Sequence, residues 1–197
     1  EQFQDAFCSF TGSAYAQTVS NGTVALHVAL EALGIGPGDE VIVPSFTYIA
    51  SANAISYTGA TPVFCDCDPV YWLMDVEDAA KRITSRTKAL LPVHVYGHAC
   101  DMDAVMALAK THNLKVIEDS AEALGTTWKN QHVGTFGDIG TFSFFGNKTL
   151  TTGEGGMVIS QSPELDALVH KLKGQGLAGT REYYHDVIGY NYRMTNI

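Results

Sequence analysis

Positive charge is scarce in this chain: 12 Lys and Arg stand against 21 Asp and Glu, for a formal net charge of -9. The few cations are scattered, which disfavours a nucleic-acid partner, because a phosphate backbone is held by clustered Lys and Arg. Long apolar runs are missing too. None approaches the roughly 20 residues that a spanning helix requires, and the amino terminus lacks the basic-then-apolar order of a signal peptide. No membrane contact is expected, and the composition reads as cytoplasmic. Only four cysteines occur, Cys8, Cys65, Cys67 and Cys100, with no CxxC partner or His pair at zinc-ligand spacing. No metal is expected, and the thiols read as small buried apolar residues. A GxGxxG after the first predicted strand is absent, which counts against a nicotinamide-binding domain.

What is present describes an ordinary globular core. The chain has 197 residues, 46% hydrophobic and 17% charged, enough for one domain or most of one. It opens at Glu1 without a methionine and stops at Ile197, just after Asn191-Tyr192-Arg193-Met194-Thr195-Asn196, so a fragment or a processed piece is expected.

Hydrophobic periodicity predicts alternating elements. Phe3, Ala6 and Phe7 mark a short amphipathic helix over 1–9. A strand over Ala16–Val19 meets Ser20-Asn21-Gly22-Thr23, and a helix follows through Val24 to Leu33. Strands are expected at Val41–Val43, Thr61–Phe64, Ala89–Val95 and Leu114–Asp119. Helices are expected over 46–57, Val76–Ile83, Met102–Ala109 and 164–173. Repeated strand–helix units imply an α/β fold with a largely parallel sheet, and such sheets bind ligands beyond the carboxyl ends of their strands. Gly22, Tyr48, His94 and Asp119 all fall at such ends.

Each of these positions has two readings. Gly22 and Thr23 could cradle a phosphate on a helix amino terminus, or simply belong to an N-cap. Tyr48 could stack on a flat ligand or pack in the core. Only one of Glu118 and Asp119 can face the site, because adjacent strand residues point opposite ways. A buried acid there calls for a cationic group opposite it. The glycine-dotted loop through Gly174, Gly176 and Gly179 carries Arg181, Tyr183, Tyr184 and His185, a polar and aromatic composition that suits either a binding loop or solvated surface.

The stretch TFSFFGNKTLTTGEGGM, Thr141 to Met157, reads as strand, loop, strand. A strand with three phenylalanines is broken by Gly146-Asn147 directly before Lys148. An amine held beside aromatic surface loses hydration when charged, so its pKa falls and it can act as a nucleophile that forms a Schiff base. On this stretch alone a solvated lysine on a hairpin loop is the favoured reading, and the rest of the chain has to decide.

Taken in order, SNGTVALHVAL (20–30), GDEVIVPSFTYIASANA (38–54), GATPVF (59–64), PVHVYG (92–97), VIEDSAEALG (116–125), GDIGTFSFFGNKTLTTGEGGMV (137–158) and GYNYRMTNI (189–197) resemble the sugar aminotransferases of the DegT/DnrJ/EryC1/StrS family. The resemblance runs nearly the whole chain. It implies the fold of aspartate aminotransferase, a three-layer αβα sandwich around a mostly parallel mixed sheet, known as the fold type I large domain. Residues 1–197 would form that pyridoxal 5′-phosphate-binding domain, incomplete and without a small carboxyl-terminal domain, because family members run to nearly twice this length. The resemblance implies that Lys148 holds the cofactor as a Schiff base and shuttles a proton, and that Asp119 pairs with the pyridinium nitrogen. It places Glu122 near the ring hydroxyl, Tyr48 against the ring, Gly22, Thr23 and Ser143 around the phosphate, and Asn191 on the phosphate of a neighbouring subunit in a homodimer. His94, Tyr184 and His185 are expected near the substrate. The substrates implied are glutamate and a nucleotide-linked 4-keto-6-deoxy sugar, with GDP-4-keto-6-deoxymannose first, in O-antigen or other polysaccharide biosynthesis. The alternatives are a dTDP- or UDP-keto sugar, or a non-catalytic member that binds a nucleotide sugar or regulates. A dehydratase branch carries histidine in place of the lysine, and the retained Lys148 points to transamination.

Overall fold

The computed structural model describes residues 1–179 and 183–196, so Arg181 lies outside the described residues. In chain order the elements are α1 (Gln2–Thr11), β1 (Tyr15–Val19), α2 (Gly22–Ala32), β2 (Glu40–Pro44), α3 (Ile49–Tyr57), β3 (Thr61–Cys65), α4 (Val76–Lys81), β4 (Thr87–Leu90), α5 (Met102–His112), β5 (Lys115–Asp119), β6 (Thr127–Trp128), β7 (Gln131–His132), β8 (Ile139–Ser143), β9 (Gly156–Ser160) and α6 (Pro163–Lys173). Seven strands form one sheet in the order β1-β9-β8-β5-β4-β2-β3. The β2–β3, β2–β4, β4–β5 and β5–β8 pairs are parallel, and β9 runs antiparallel to both its neighbours. The largely parallel sheet expected from the alternation is observed, and the antiparallel β9 makes it mixed, as the resemblance implies. Among the described residues, no helix is long and apolar enough to cross a membrane.

Helices cover both faces, and the side-chain alternation of the strands shows why. In β8 and its continuation, Phe142 and Phe144 face α1, where Phe7 lies 5.0 Å from Phe142 and Phe3 lies 5.3 Å from Phe144 between ring centroids. The intervening Ser143 faces the start of α2 instead, as the period of two demands. Helix α2 is apolar on nearly every side, with Ala25 through Leu30 all buried, because it packs against the sheet and against α3 and α6 at once. Asn21 caps it, its side-chain oxygen accepting the Val24 N–H at 3.0 Å.

Two boundaries and one element stand out against those the sequence predicts. Strand β4 ends at Leu90, short of the expected Val95: Pro92 has no N–H to give a ladder, its carbonyl accepts the Asp119 N–H at 2.9 Å, and a short 3-10 turn over Val95–Gly97 then bends the chain. Helix α3 starts at Ile49 and not at Phe46, since Tyr48 is extended (φ −69°, ψ 142°) as its N-cap. The small β6–β7 hairpin was not expected. It turns on Lys129 and Asn130, both at positive φ, as a tight two-residue hairpin turn requires.

Candidate active site

A cavity of about 480 Å³ collects Gly22, Thr23, Tyr48, Asp119, Glu122, Ser143 and Lys148 on its walls. It lies where the sheet rule places it, beyond the carboxyl ends of β5 and its neighbours. Parallel pairing sets Asp119 beside Thr141, and β8 then runs two residues further to Ser143 before the turn that carries Lys148.

At one wall, Asn21 takes the Val24 N–H, and the Gly22 and Thr23 N–H groups belong to a first turn that cannot satisfy itself. A Cβ on Gly22 would lie 2.7 Å from Ser143 Cβ and 3.0 Å from Ser143 Oγ. Glycine is therefore required for this helix start and the Ser143 hydroxyl to close on one small space, the shape of an anion cradle.

Asp119 is buried, and its two oxygens accept from Ser51 Oγ at 2.7 Å and from the Ala121 N–H at 3.1 Å. Burial pushes its pKa up, and those two donors oppose the shift without cancelling it. Glu118 points the other way, as the alternation requires. Its carboxylate is fully buried and accepts the N–H groups of Gly134, Phe136 and Gly137 at 2.7, 2.8 and 2.8 Å, with His94 Nε2 at 3.1 Å. That acid ties the 134–137 loop to the sheet, and Asp119 alone faces the cavity.

Lys148 is 16% exposed, and its Nζ donates to Glu122 Oε1 at 3.1 Å. The amine thus meets a carboxylate, where the phenylalanine-rich stretch predicts apolar aromatic surroundings. The second Glu122 oxygen accepts the Tyr96 N–H at 2.8 Å. Tyr48, 76% exposed, presents its ring at the cavity wall.

The substrate expectations fare differently. His94 borders the cavity, but its side chain is fully buried, its Nδ1 accepts the Cys100 N–H at 3.1 Å and its Nε2 faces Glu118, so it offers no free hydrogen-bonding atom. Tyr184, His185 and Asn191 do not line this cavity. Backbone bonds hold their segment to the end of α6 instead: Ala178 N–H to Tyr184 O and Gln175 N–H to Tyr190 O, each 2.9 Å, and Tyr192 N–H to Lys173 O at 3.0 Å. His185 Nδ1 also lies 2.7 Å from Gln175 O. Ser51, which donates to Asp119, and Thr47, which meets Ser51, are polar side chains at the site that sequence reasoning passed over. The spacing of Thr47 and Ser51 was a usable signal, since residues four apart meet on a helix start, and their hydroxyls are 2.9 Å apart.

Residues 1–197 match the DegT/DnrJ/EryC1/StrS aminotransferase family. GDP-perosamine synthase of Escherichia coli O157:H7 is 62% identical over 198 residues, covering 100% of this chain and 54% of that protein. Among solved structures, DesV of S. venezuelae, in complex with a ketimine intermediate, superposes with a TM-score of 0.94 at 43% identity, over 98% of this chain and 52% of that one. A sugar aminotransferase from Streptococcus pneumoniae, described as putative and solved in its PLP form, gives 0.91 at 32% identity, over 98% and 55%. The chain spans about half the length of these relatives. It belongs to the DegT/DnrJ/EryC1/StrS aminotransferase family.

Proposed function

We propose that this chain is the cofactor-binding large domain of a pyridoxal-phosphate-dependent aminotransferase that moves an amino group from glutamate to a nucleotide-linked 4-keto-6-deoxy sugar, making GDP-perosamine from GDP-4-keto-6-deoxymannose. The identity of 62% to a GDP-perosamine synthase across the whole chain carries the substrate choice. The meeting of Lys148 and Asp119 in one cavity carries the chemistry.

The residues present fit the cofactor. The Gly22–Ser143 space, which a single Cβ would fill, suits a phosphate, and the buried Asp119 suits a protonated ring nitrogen. Pyridoxal phosphate, when bound, supplies an electron sink and a carbonyl carbon for amine exchange. Gly22 and Thr23 N–H groups and the Ser143 hydroxyl hold the phosphate, and Asp119 keeps the pyridine nitrogen protonated. Tyr48 covers one ring face. Lys148 Nζ takes a proton from the donor's α-carbon and returns one to the sugar carbon. Glu122 orients that amine from 3.1 Å and stands near the ring hydroxyl. In a homodimer, the exposed Asn191 reaches the phosphate of the neighbouring subunit.

The test is amino transfer. With GDP-4-keto-6-deoxymannose present, glutamate is expected to yield 2-oxoglutarate. Amination of a UDP- or dTDP-keto sugar alone would move the reading to another substrate within the family. Sugar binding with no glutamate consumed would establish a non-catalytic binding or regulatory member.

A further inference from the structure

Three aromatic side chains cluster beside residues of the cavity without lining it. Phe46 directly precedes the cavity residues Thr47 and Tyr48, and Tyr96 directly follows the cavity residue Val95. The Phe46 ring lies 5.1 Å from Trp72 at 83° and 6.3 Å from Tyr96 at 64°, edge to face with both. Phe46 is 37% exposed, Trp72 54% and Tyr96 78%, so the cluster offers ring surface to solvent.

Burial does not explain this arrangement, and the backbone is strained to make it. Trp72 and Tyr96 both sit in the left-handed region, at φ 61° and 51°, where bulky side chains are outliers. Each is held there by dedicated bonds. Asp68 Oδ1 accepts the Val70 and Tyr71 N–H groups at 2.8 and 2.7 Å, and the Trp72 N–H donates to Asp68 O at 2.8 Å. The Tyr96 N–H is held by Glu122, the carboxylate that also grips Lys148. Strain of this kind collects at ligand sites, and here two strained residues meet on one ring.

We propose that Phe46, Trp72 and Tyr96 form the stacking platform for the base of the nucleoside diphosphate carried by the substrate; this rests on the aminotransferase reading above. A cavity of about 480 Å³ has to take both the cofactor and the reacting sugar, which leaves the nucleotide outside it. Charge offers that nucleotide little: the chain carries -9, and Lys148 is the one Lys or Arg among the described residues lining the cavity. Stacking on aromatic faces holds a base without any help from charge.

Trp72 and Trp128 are the two tryptophans of the chain, so Trp128→Phe leaves Trp72 as sole reporter. In the full chain loaded with cofactor, GDP is expected to quench Trp72 fluorescence saturably, while pyrophosphate, which has no base, does not. Calorimetry on the parent chain reads the variants. Trp72→Ala and Phe46→Ala weaken GDP binding by roughly tenfold or more, Trp72→Phe recovers most of the loss, and Asp68→Ala, which removes no ring but frees the turn, also weakens it. Pyrophosphate binding and the cofactor absorbance stay as in the parent. Equal quenching by both probes, or unchanged GDP affinity in Trp72→Ala and Phe46→Ala, overturns the platform. So does a shift in sedimentation with GDP affinity unchanged, which would make the patch a contact between copies. A cofactor band without a GDP response defeats this inference alone, whereas a parent chain that takes up no cofactor defeats the aminotransferase reading.

Discussion

Burial raises the pKa of Asp119 because one hydroxyl and one backbone N–H are poor replacements for the water its carboxylate gives up. The sign of the consequence follows from linkage. A group whose folded pKa is raised contributes stability that is fully present below its unfolded value and is lost as pH rises through the folded value. Ionising Asp119 therefore costs the cofactor-free chain stability, and the cost grows as pH rises. Asp119→Asn keeps the shape and removes the charge, so it is expected to stabilise the cofactor-free chain by on the order of 1 kcal/mol while abolishing amino transfer. Thermal melts of the two cofactor-free chains at pH 5 and pH 8 check this: the advantage of Asn should grow with pH, and an advantage that shrinks would refute it. At this scale, Lys148, Asp119, Glu122, Tyr48 and Ser143 were legible because short motifs carry them. Ser51 was not, since its partner lies 68 residues away, and neither was the pairing of His94 with Glu118, 24 residues apart. Nothing local marks which of many polar side chains will meet.

The anion cradle belongs to two elements at once, the start of α2 and the end of β8, and its closure depends on the missing Cβ of Gly22. Gly22→Ala forces that Cβ to within 2.7 Å of Ser143 Cβ, closer than real contacts allow. The expected result is a loss of cofactor affinity of roughly tenfold or more, in keeping with an overpacking cost of about 1–3 kcal/mol, with secondary structure retained. Adding Ser143→Gly removes the clash and should restore part of the affinity, as read by cofactor titration with circular dichroism alongside. If the double variant binds no better than Gly22→Ala alone, crowding is not the cause. Most elements were legible from period and punctuation, because the core faces of α1, α5 and the parallel strands follow them. The misplaced ends have local causes. Pro92 cuts β4 short, and Tyr48, extended as the N-cap of α3, starts that helix later than helical spacing reports.

Across the whole molecule, Tyr184, His185 and Asn191 lie on a segment fastened to the end of α6 and outside this chain's own cavity. The composition of the loop offered Tyr184 and His185 as a binding surface, while the role of Asn191 was carried by resemblance alone, since no pattern within one chain reveals what a second copy would supply. On the proposed dimer, each site takes Lys148 from one subunit and Asn191 from the other. Lys148→Ala and Asn191→Ala should each be nearly inactive, and equal mixing after unfolding and refolding should recover about a quarter of the activity, because half the dimers are hybrids with one intact site. No recovery would mean that Asn191 does not act across subunits. On the proposed reading, one amine and one buried acid meet around a bound ring. The most direct measurement is mass spectrometry of the chain after incubation with pyridoxal phosphate and reduction with borohydride. The account predicts a single phosphopyridoxyl adduct on Lys148, lost in Lys148→Ala, and an adduct elsewhere or none at all would contradict it.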